Sequence, residues 1–277
     1  MEDYKIYSIG FDELQRTDIF LNKDKPFIIE INKNGVNFEF LMRIKSDSDK
    51  AIIFGSGAYD ATSDLNPPIF QRHKWMKHFD ETLIYFNDPT LYLGKINIGW
   101  GFGSATSYYL EEIAEILSIL LEKIKIDRKK VLLYGSSAGG FMALMLGGIL
   151  KGAHVLVNNP QTIVWNYYDR HVNSMFNVTM PALNRDEIIE TYKHRLNVYE
   201  FYKKNEYVPD IKYIQNSASE RDIVAHLNPF ILSLNKLDQT FFEQNIDIML
   251  YADEELGHTP LRVDDTVYYI KDKLNKI

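Results

Sequence analysis

The 277-residue chain carries 31 Lys and Arg against 38 Asp and Glu, a net charge of −7, and contains no Cys. Its 45% apolar content excludes a disordered or collagen-like polymer, and the missing Cys excludes disulfides, thiolate metal centres and a Cys nucleophile. The acidic balance, with no basic run beyond Arg128-Lys129-Lys130, argues against nucleic acid as a partner. No apolar stretch reaches the ~18 residues of a membrane helix, and Met1-Glu2-Asp3-Tyr4 lacks the basic-then-apolar pattern of a secretory leader. One domain over residues 1–277, located in the cytoplasm, is the expectation.

The runs 26–31, 36–44, 51–54 and 82–86 are short and rich in β-branched or aromatic residues, which predicts strands. Leu110, Ile113, Leu117, Leu120 and Ile124 then recur at steps of three and four. That spacing predicts a helix, with Glu111, Glu112, Glu115 and Glu122 off the apolar stripe. A strand at 131–134 leads into a helix after Gly139, and another strand follows at 154–158. Residues 161–208 break the alternation. They hold nine aromatic residues among mixed charges and read as a mostly helical insertion over the sheet, a cap whose rings could roof a binding site. Strands at 211–215 and 246–251 come next. A last helix places Val263, Val267, Ile270 and Leu274 on one face, with Asp264 and Asp265 in its first turn, where the helix dipole favours acids. Continuously apolar strands alternating with helices predict an α/β protein with a mostly parallel sheet covered on both faces.

One stretch carries chemistry. Val131-Leu-Leu-Tyr-Gly135-Ser136-Ser137-Ala138-Gly139-Gly140 is an apolar strand, a knot of small residues and then a helix, and it contains Gly135-x-Ser137-x-Gly139. This is the pattern of a nucleophile elbow. A Ser hydroxyl attacks a carbonyl only if a base takes its proton, and a tight strand-to-helix turn holds that hydroxyl where an imidazole can reach it. Ser137 is the nucleophile candidate, because Ser136 is flanked by Tyr134 and Ala138 instead of Gly. The Ala138 N–H, at the helix N-terminus, is a candidate oxyanion donor.

An elbow calls for an acid after a later strand and a His after the last one. Asp222 follows the strand at 211–215, with Glu220 and Asp253 as rivals. His258, in Gly257-His258-Thr259-Pro260, is the one His of seven in the loop after the final strand. A second oxyanion donor is expected from the turn Gly55-Ser56-Gly57-Ala58, with Gly57 N–H first and Ala58 N–H behind it. Ser56 in that turn is a substrate-binding candidate. So is Trp100, bracketed by Gly99 and Gly101, whose ring could stack on a sugar or acyl group, and so is Gln161 in Asn158-Asn159-Pro160-Gln161. No metal constellation, P-loop Lys or dinucleotide fingerprint is present.

The run YGSSAGGFMALMLGG…HVLVNNPQT, with Asp222 and Gly257-His258 after it, resembles the α/β-hydrolase superfamily. Within it, the resemblance points to bacterial capsule and surface-polysaccharide O-acetyltransferases, and covers residues 51–258. The DPTL (88–91) and GW (99–100) stretches also resemble hydrolase-like proteins of polysaccharide and accessory secretion loci. The resemblance implies the α/β-hydrolase fold, a Ser137–His258–Asp222 triad, acetyl-CoA as acyl donor with no permanently bound cofactor, and a carbohydrate acceptor. Water as acceptor would make the chain an esterase, and a non-catalytic role in a polysaccharide or secretion complex is the other alternative. Arg170, Lys193 and Arg195 in the insertion are candidate partners for donor phosphates.

Overall fold

The computed structural model describes residues 4–16, 24–60, 62 and 65–277. Among the described residues, nine strands form one sheet: β1 (Lys5–Gly10), β2 (Phe27–Lys33), β3 (Val36–Arg43), β4 (Ala51–Gly55), β5 (Thr82–Phe86), β6 (Val131–Ser136), β7 (His154–Pro160), β8 (Ile211–Asn216) and β9 (Asp247–Tyr251). Their order is β1-β2-β3-β5-β4-β6-β7-β8-β9. Only β3 runs antiparallel, to β2 and to β5; every other pairing is parallel. Parallel strands require crossovers, most of which carry helices here, while a last helix follows β9.

Those helices are α1 (Phe11–Leu14), α2 (Tyr109–Lys123), α3 (Ser137–Ile149), α4 (Asp169–Thr179), α5 (Arg185–Leu196) and α6 (Val198–Asn205), then α7 (Glu220–Asp222), α8 (Asn228–Leu234) and α9 (Val263–Leu274). The two-residue period of the strands sorts the core onto two faces. Ile53, Leu133, Val155 and Val157 pack with α2 and α3 on one side. Ile52, Phe54, Leu132 and Tyr134 pack with Ile270 and Leu274 of α9 on the other. β4, β5 and β6 are buried along their whole length, which is why their sequences are continuously apolar.

Two features differ from the sequence expectation. β1 was not anticipated: it is an edge strand with a largely solvent-facing surface, so its sequence has little apolar pattern to read. Residues 161–208 do form helices, α4 to α6, but their aromatic residues are largely core. Phe176, Phe201, Tyr202 and Tyr207 are buried, whereas Tyr168 is half exposed. Phe176 and Tyr192 pack on Phe102 in the Trp100 loop, and Tyr167 meets the Trp100 ring edge-on.

Because β4 and β6 to β9 are parallel, their C-terminal ends lie along one rim of the sheet. The segments after Gly55, Ser136, Pro160, Asn216 and Tyr251 therefore converge, as expected for a site at the carboxyl ends of parallel strands.

Candidate active site

Ser137 begins α3 with φ of 52°, a left-handed backbone that non-glycine residues rarely adopt. The turn closes because its glycines have no Cβ. A Cβ on Gly135 would stand 2.1 Å from the Gly139 carbonyl oxygen, and one on Gly139 would stand 2.5 Å from that of Gly55. Arg72 supports the elbow from below. Its Nη2 donates to Ser136 Oγ at 2.5 Å, and its guanidinium lies over the Tyr134 and Trp75 rings. Nothing in the sequence around Arg72 signalled that contact, since 64 residues separate the pair.

His258 Nε2 lies 3.0 Å from Ser137 Oγ, and His258 Nδ1 lies 2.7 Å from Asp222 Oδ2. The Asp222 carboxylate is buried and also accepts the Ser219 hydroxyl at 2.7 Å. An ionised carboxylate only accepts, so Nδ1 carries the proton and Nε2 is left to accept from Ser137. The rival acids lie elsewhere. Asp253 Oδ2 accepts Arg262 Nη1, and its Oδ1 caps Leu256 N–H; Glu220 is exposed at the start of α7.

The His258 loop is held down by side-chain amides. Asn216 Nδ2 donates to the carbonyls of Asp253 and Gly257, at 2.7 and 2.9 Å, while its Oδ1 accepts Asp253 N–H. Asn159 Nδ2 donates to the carbonyls of His258 and Thr259, and Asn158 Oδ1 accepts Leu261 N–H. These three Asn side chains therefore position the loop and do not face a ligand. Sequence reading placed Asn158 and Asn159 at the rim but missed Asn216, the last residue of β8.

Three candidates have their polar groups engaged within the protein. Gly57 N–H donates to Gln71 Oε1 at 2.9 Å, while Gln71 Nε2 donates to the Ala58 carbonyl, so the expected oxyanion donor is engaged within the protein. Ser56 Oγ donates to the Ile69 carbonyl and accepts Gln71 N–H, which makes it a fastener of the same turn. Trp100 is 0% exposed. Its indole Nε1–H donates to Gln161 Oε1, and Gln161 Nε2 donates to Ser137 Oγ at 3.1 Å. Ala138 N–H lies in the first turn of α3, where amides have no intrahelical acceptor.

Two spaces lie near the elbow, one of them bordered by Ala138. A cavity of about 10 Å³ is bounded by Gly57, Leu91, Ile98, Trp100, Ala138 and Met142, among others. That is room for one water- or methyl-sized group. A cleft of about 690 Å³ shares Asn97 and Ile98 with it and opens past Lys95, Arg170 and His171. Of the other cations considered, Arg195 is packed among Phe102, Tyr108 and Tyr192 and donates to the Ser104 carbonyl, and Lys193 pairs with Glu190. Neither lines the cleft.

No family model matches the sequence, and no curated protein matches it significantly. Solved structures do. The fold is that of the α/β hydrolases. The capsule O-acetyltransferase of Neisseria meningitidis serogroup A superposes with a TM-score of 0.68, covering 88% of this chain and 96% of that one at 16% identity. A variant of that enzyme in complex with CoA superposes equally well, at 0.68 and 17% identity, covering 88% and 94% of the two chains. Acetyl xylan esterase 1 from Thermoanaerobacterium sp. covers 96% of this chain and 93% of its own, with a TM-score of 0.58 and 14% identity. At such identities the likeness is one of fold. Among the described residues, no helix is long and apolar enough to cross a membrane.

Proposed function

We propose that the chain is a serine acyltransferase that moves an acetyl group from acetyl-CoA to a hydroxyl of a surface carbohydrate. The observation that carries the reading is the continuous hydrogen-bonded line from Asp222 through His258 to Ser137, ending on a strained elbow. His258 Nε2 takes the Ser137 proton as Oγ attacks the acetyl carbonyl, and Asp222 stabilises the imidazolium that forms. The tetrahedral intermediate collapses to acetyl-Ser137, and the CoA sulfur leaves with the proton returned by His258. An acceptor hydroxyl then attacks acetyl-Ser137, giving its proton to His258, which restores Ser137.

The small cavity beside Ala138, of about 10 Å³, is consistent with a short acyl group. The adjoining cleft with Lys95 and Arg170 suits a donor bearing phosphates. Carbohydrate as acceptor rests on the fold shared with the capsule enzyme. The same chemistry with water as acceptor is that of an esterase.

Intact-mass measurement after incubation with acetyl-CoA tests the proposal. Wild type should gain one acetyl group, and Ser137→Ala should gain none. Absence of both an adduct and any ester turnover in wild type would sink it. Adding oligosaccharide acceptors then distinguishes transfer to sugar from hydrolysis.

A further inference from the structure

Gly57 N–H, the first of the two backbone amides expected to accompany Ala138 N–H, is held by Gln71. Gln161 stands in the place of need. Its side chain is fully buried and joins Ser137 Oγ to the Trp100 indole. The orientation of the amide is forced by chemistry. Indole N–H can only donate, so the amide oxygen faces Trp100 and the NH2 group faces Ser137. One N–H of that group donates to Ser137 Oγ, and the other has no protein acceptor among the described residues.

The surroundings hold this geometry rigidly. Trp100 has φ of 53°, an outlier for a bulky residue, kept in place by the loop around it. Asp88 accepts Gly101 N–H and Thr90 Oγ1 accepts Gly103 N–H, clamping the loop on both sides of Phe102. Gln161 N–H also donates to the Ser137 carbonyl, which ties the backbone of Gln161 to the elbow itself. Trp100 and Ala138 border the same small cavity, and the Gln161 amide links Trp100 to the Ser137 hydroxyl.

We propose that the Gln161 side-chain amide is the second oxyanion donor, acting with Ala138 N–H, and that Trp100 is the positioning residue that keeps its NH2 group turned toward Ser137. The inference rests on the acyl-enzyme reading above. As Oγ bonds to the carbonyl carbon, the carbonyl oxygen gains the electron pair of the broken π bond. Gln161 Nε2–H and Ala138 N–H then donate to that oxygen, and the charge disperses when the intermediate collapses.

Steady-state hydrolysis of p-nitrophenyl acetate, binding of a boronic acid that forms a tetrahedral anion on Ser137, and thermal melting together test this. Gln161→Ala should lower kcat by about 100-fold or more with KM within about threefold, and should weaken the boronate in the same proportion. Gln161→Glu keeps the shape but presents an acceptor to the anion; it should lose at least as much and covers the case in which the smaller variant melts early. Trp100→Phe removes the indole N–H and frees the amide to turn, so kcat should fall about tenfold at unchanged KM with boronate affinity falling alongside. The oxyanion role is overturned if both Gln161 variants keep kcat within about threefold of wild type. It is also overturned if kcat falls while boronate affinity stays, which would assign Gln161 to holding Ser137 alone. Wild type without Ser137-dependent turnover would remove the acyl-enzyme reading and this inference together; active wild type with active Gln161 variants would remove the inference only.

Discussion

Asp88 accepts the amide N–H of Gly101 at 2.8 Å through Oδ2, from a position that is itself buried. Its other oxygen caps Thr90 N–H at 2.9 Å, at the start of a short 3-10 helix, Pro89–Tyr92. One carboxylate therefore fastens the strand end after β5 to the loop that carries Trp100. Burial raises the Asp88 pKa, while the hydrogen bonds from Thr90 and Gly101 act in the opposite sense. Asp88→Ala should leave these amides without an acceptor and lower stability by about 1–3 kcal/mol, read from urea denaturation. Because the Trp100 loop would loosen with it, ester turnover should fall as well, at temperatures where the variant is still folded.

A change at Gly139 should be more damaging. Its added Cβ would meet the Gly55 carbonyl oxygen at 2.5 Å, and backbone on a central strand has nowhere to retreat. Gly139→Ala should cost about 3 kcal/mol or more and abolish turnover, measured by chemical denaturation and p-nitrophenyl acetate hydrolysis. A variant of wild-type stability would show that the elbow and β4 do not approach this closely.

The His258 loop depends on Asn216. Asn216→Ala removes both donors to the Asp253 and Gly257 carbonyls and the acceptor for Asp253 N–H. The expected outcome is a lower kcat with faster amide hydrogen exchange across residues 253–258, while exchange in β6 and α3 stays at the wild-type rate. Unchanged exchange in the loop would contradict the anchoring role.

Asp222→Asn should reduce kcat by about 10³-fold or more, since the amide can present an N–H to Nδ1 and favour the wrong tautomer of His258. Melting temperature should change little, because the shape and the Ser219 contact are retained. Turnover near the wild-type level would shift the orienting role to another acid.

His226 gives a pH signature of stability. It is 1% exposed, and burial first, with the nearby charges of His258 and Arg221 adding to it, lowers its pKa to about 4; Asp222 opposes the shift. A base with a depressed folded pKa is bound to more protons in the unfolded chain, so stability falls with falling pH. The loss begins near the ordinary His value of 6.5 and is complete near 4, amounting to about 3 kcal/mol. Denaturation of wild type and His226→Asn at pH 7.5 and pH 4.5 should show a smaller pH dependence in the variant. Equal slopes would contradict the assignment.

The strands of the central sheet were legible because burial on both faces leaves them no choice but continuous apolar sequence, as in β4 and β6. β1 was not, because an edge strand with an exposed face answers mainly to its partner β2. Ser137, Asp222 and His258 could be singled out by their order relative to strand ends, a local property of the sequence. The fate of Gly57, Ser56 and Trp100 was not local. Each has its polar group claimed by a residue distant in the chain, Gln71, Ile69 or Gln161, and no spacing rule reports such pairings.

The absence of Cys excluded a sulfur nucleophile, and the order of elements marked, from sequence alone, where on an α/β sheet a Ser could serve. Of the nine aromatic residues in 161–208, which suggested a binding roof, the tertiary structure buries Phe176, Phe201, Tyr202 and Tyr207 in the core. Which amides face Ser137 was also a tertiary decision. A buried donor or acceptor takes whatever partner the packing brings within about 3 Å, and that distance is set by the whole sheet and its loops rather than by neighbours in the chain.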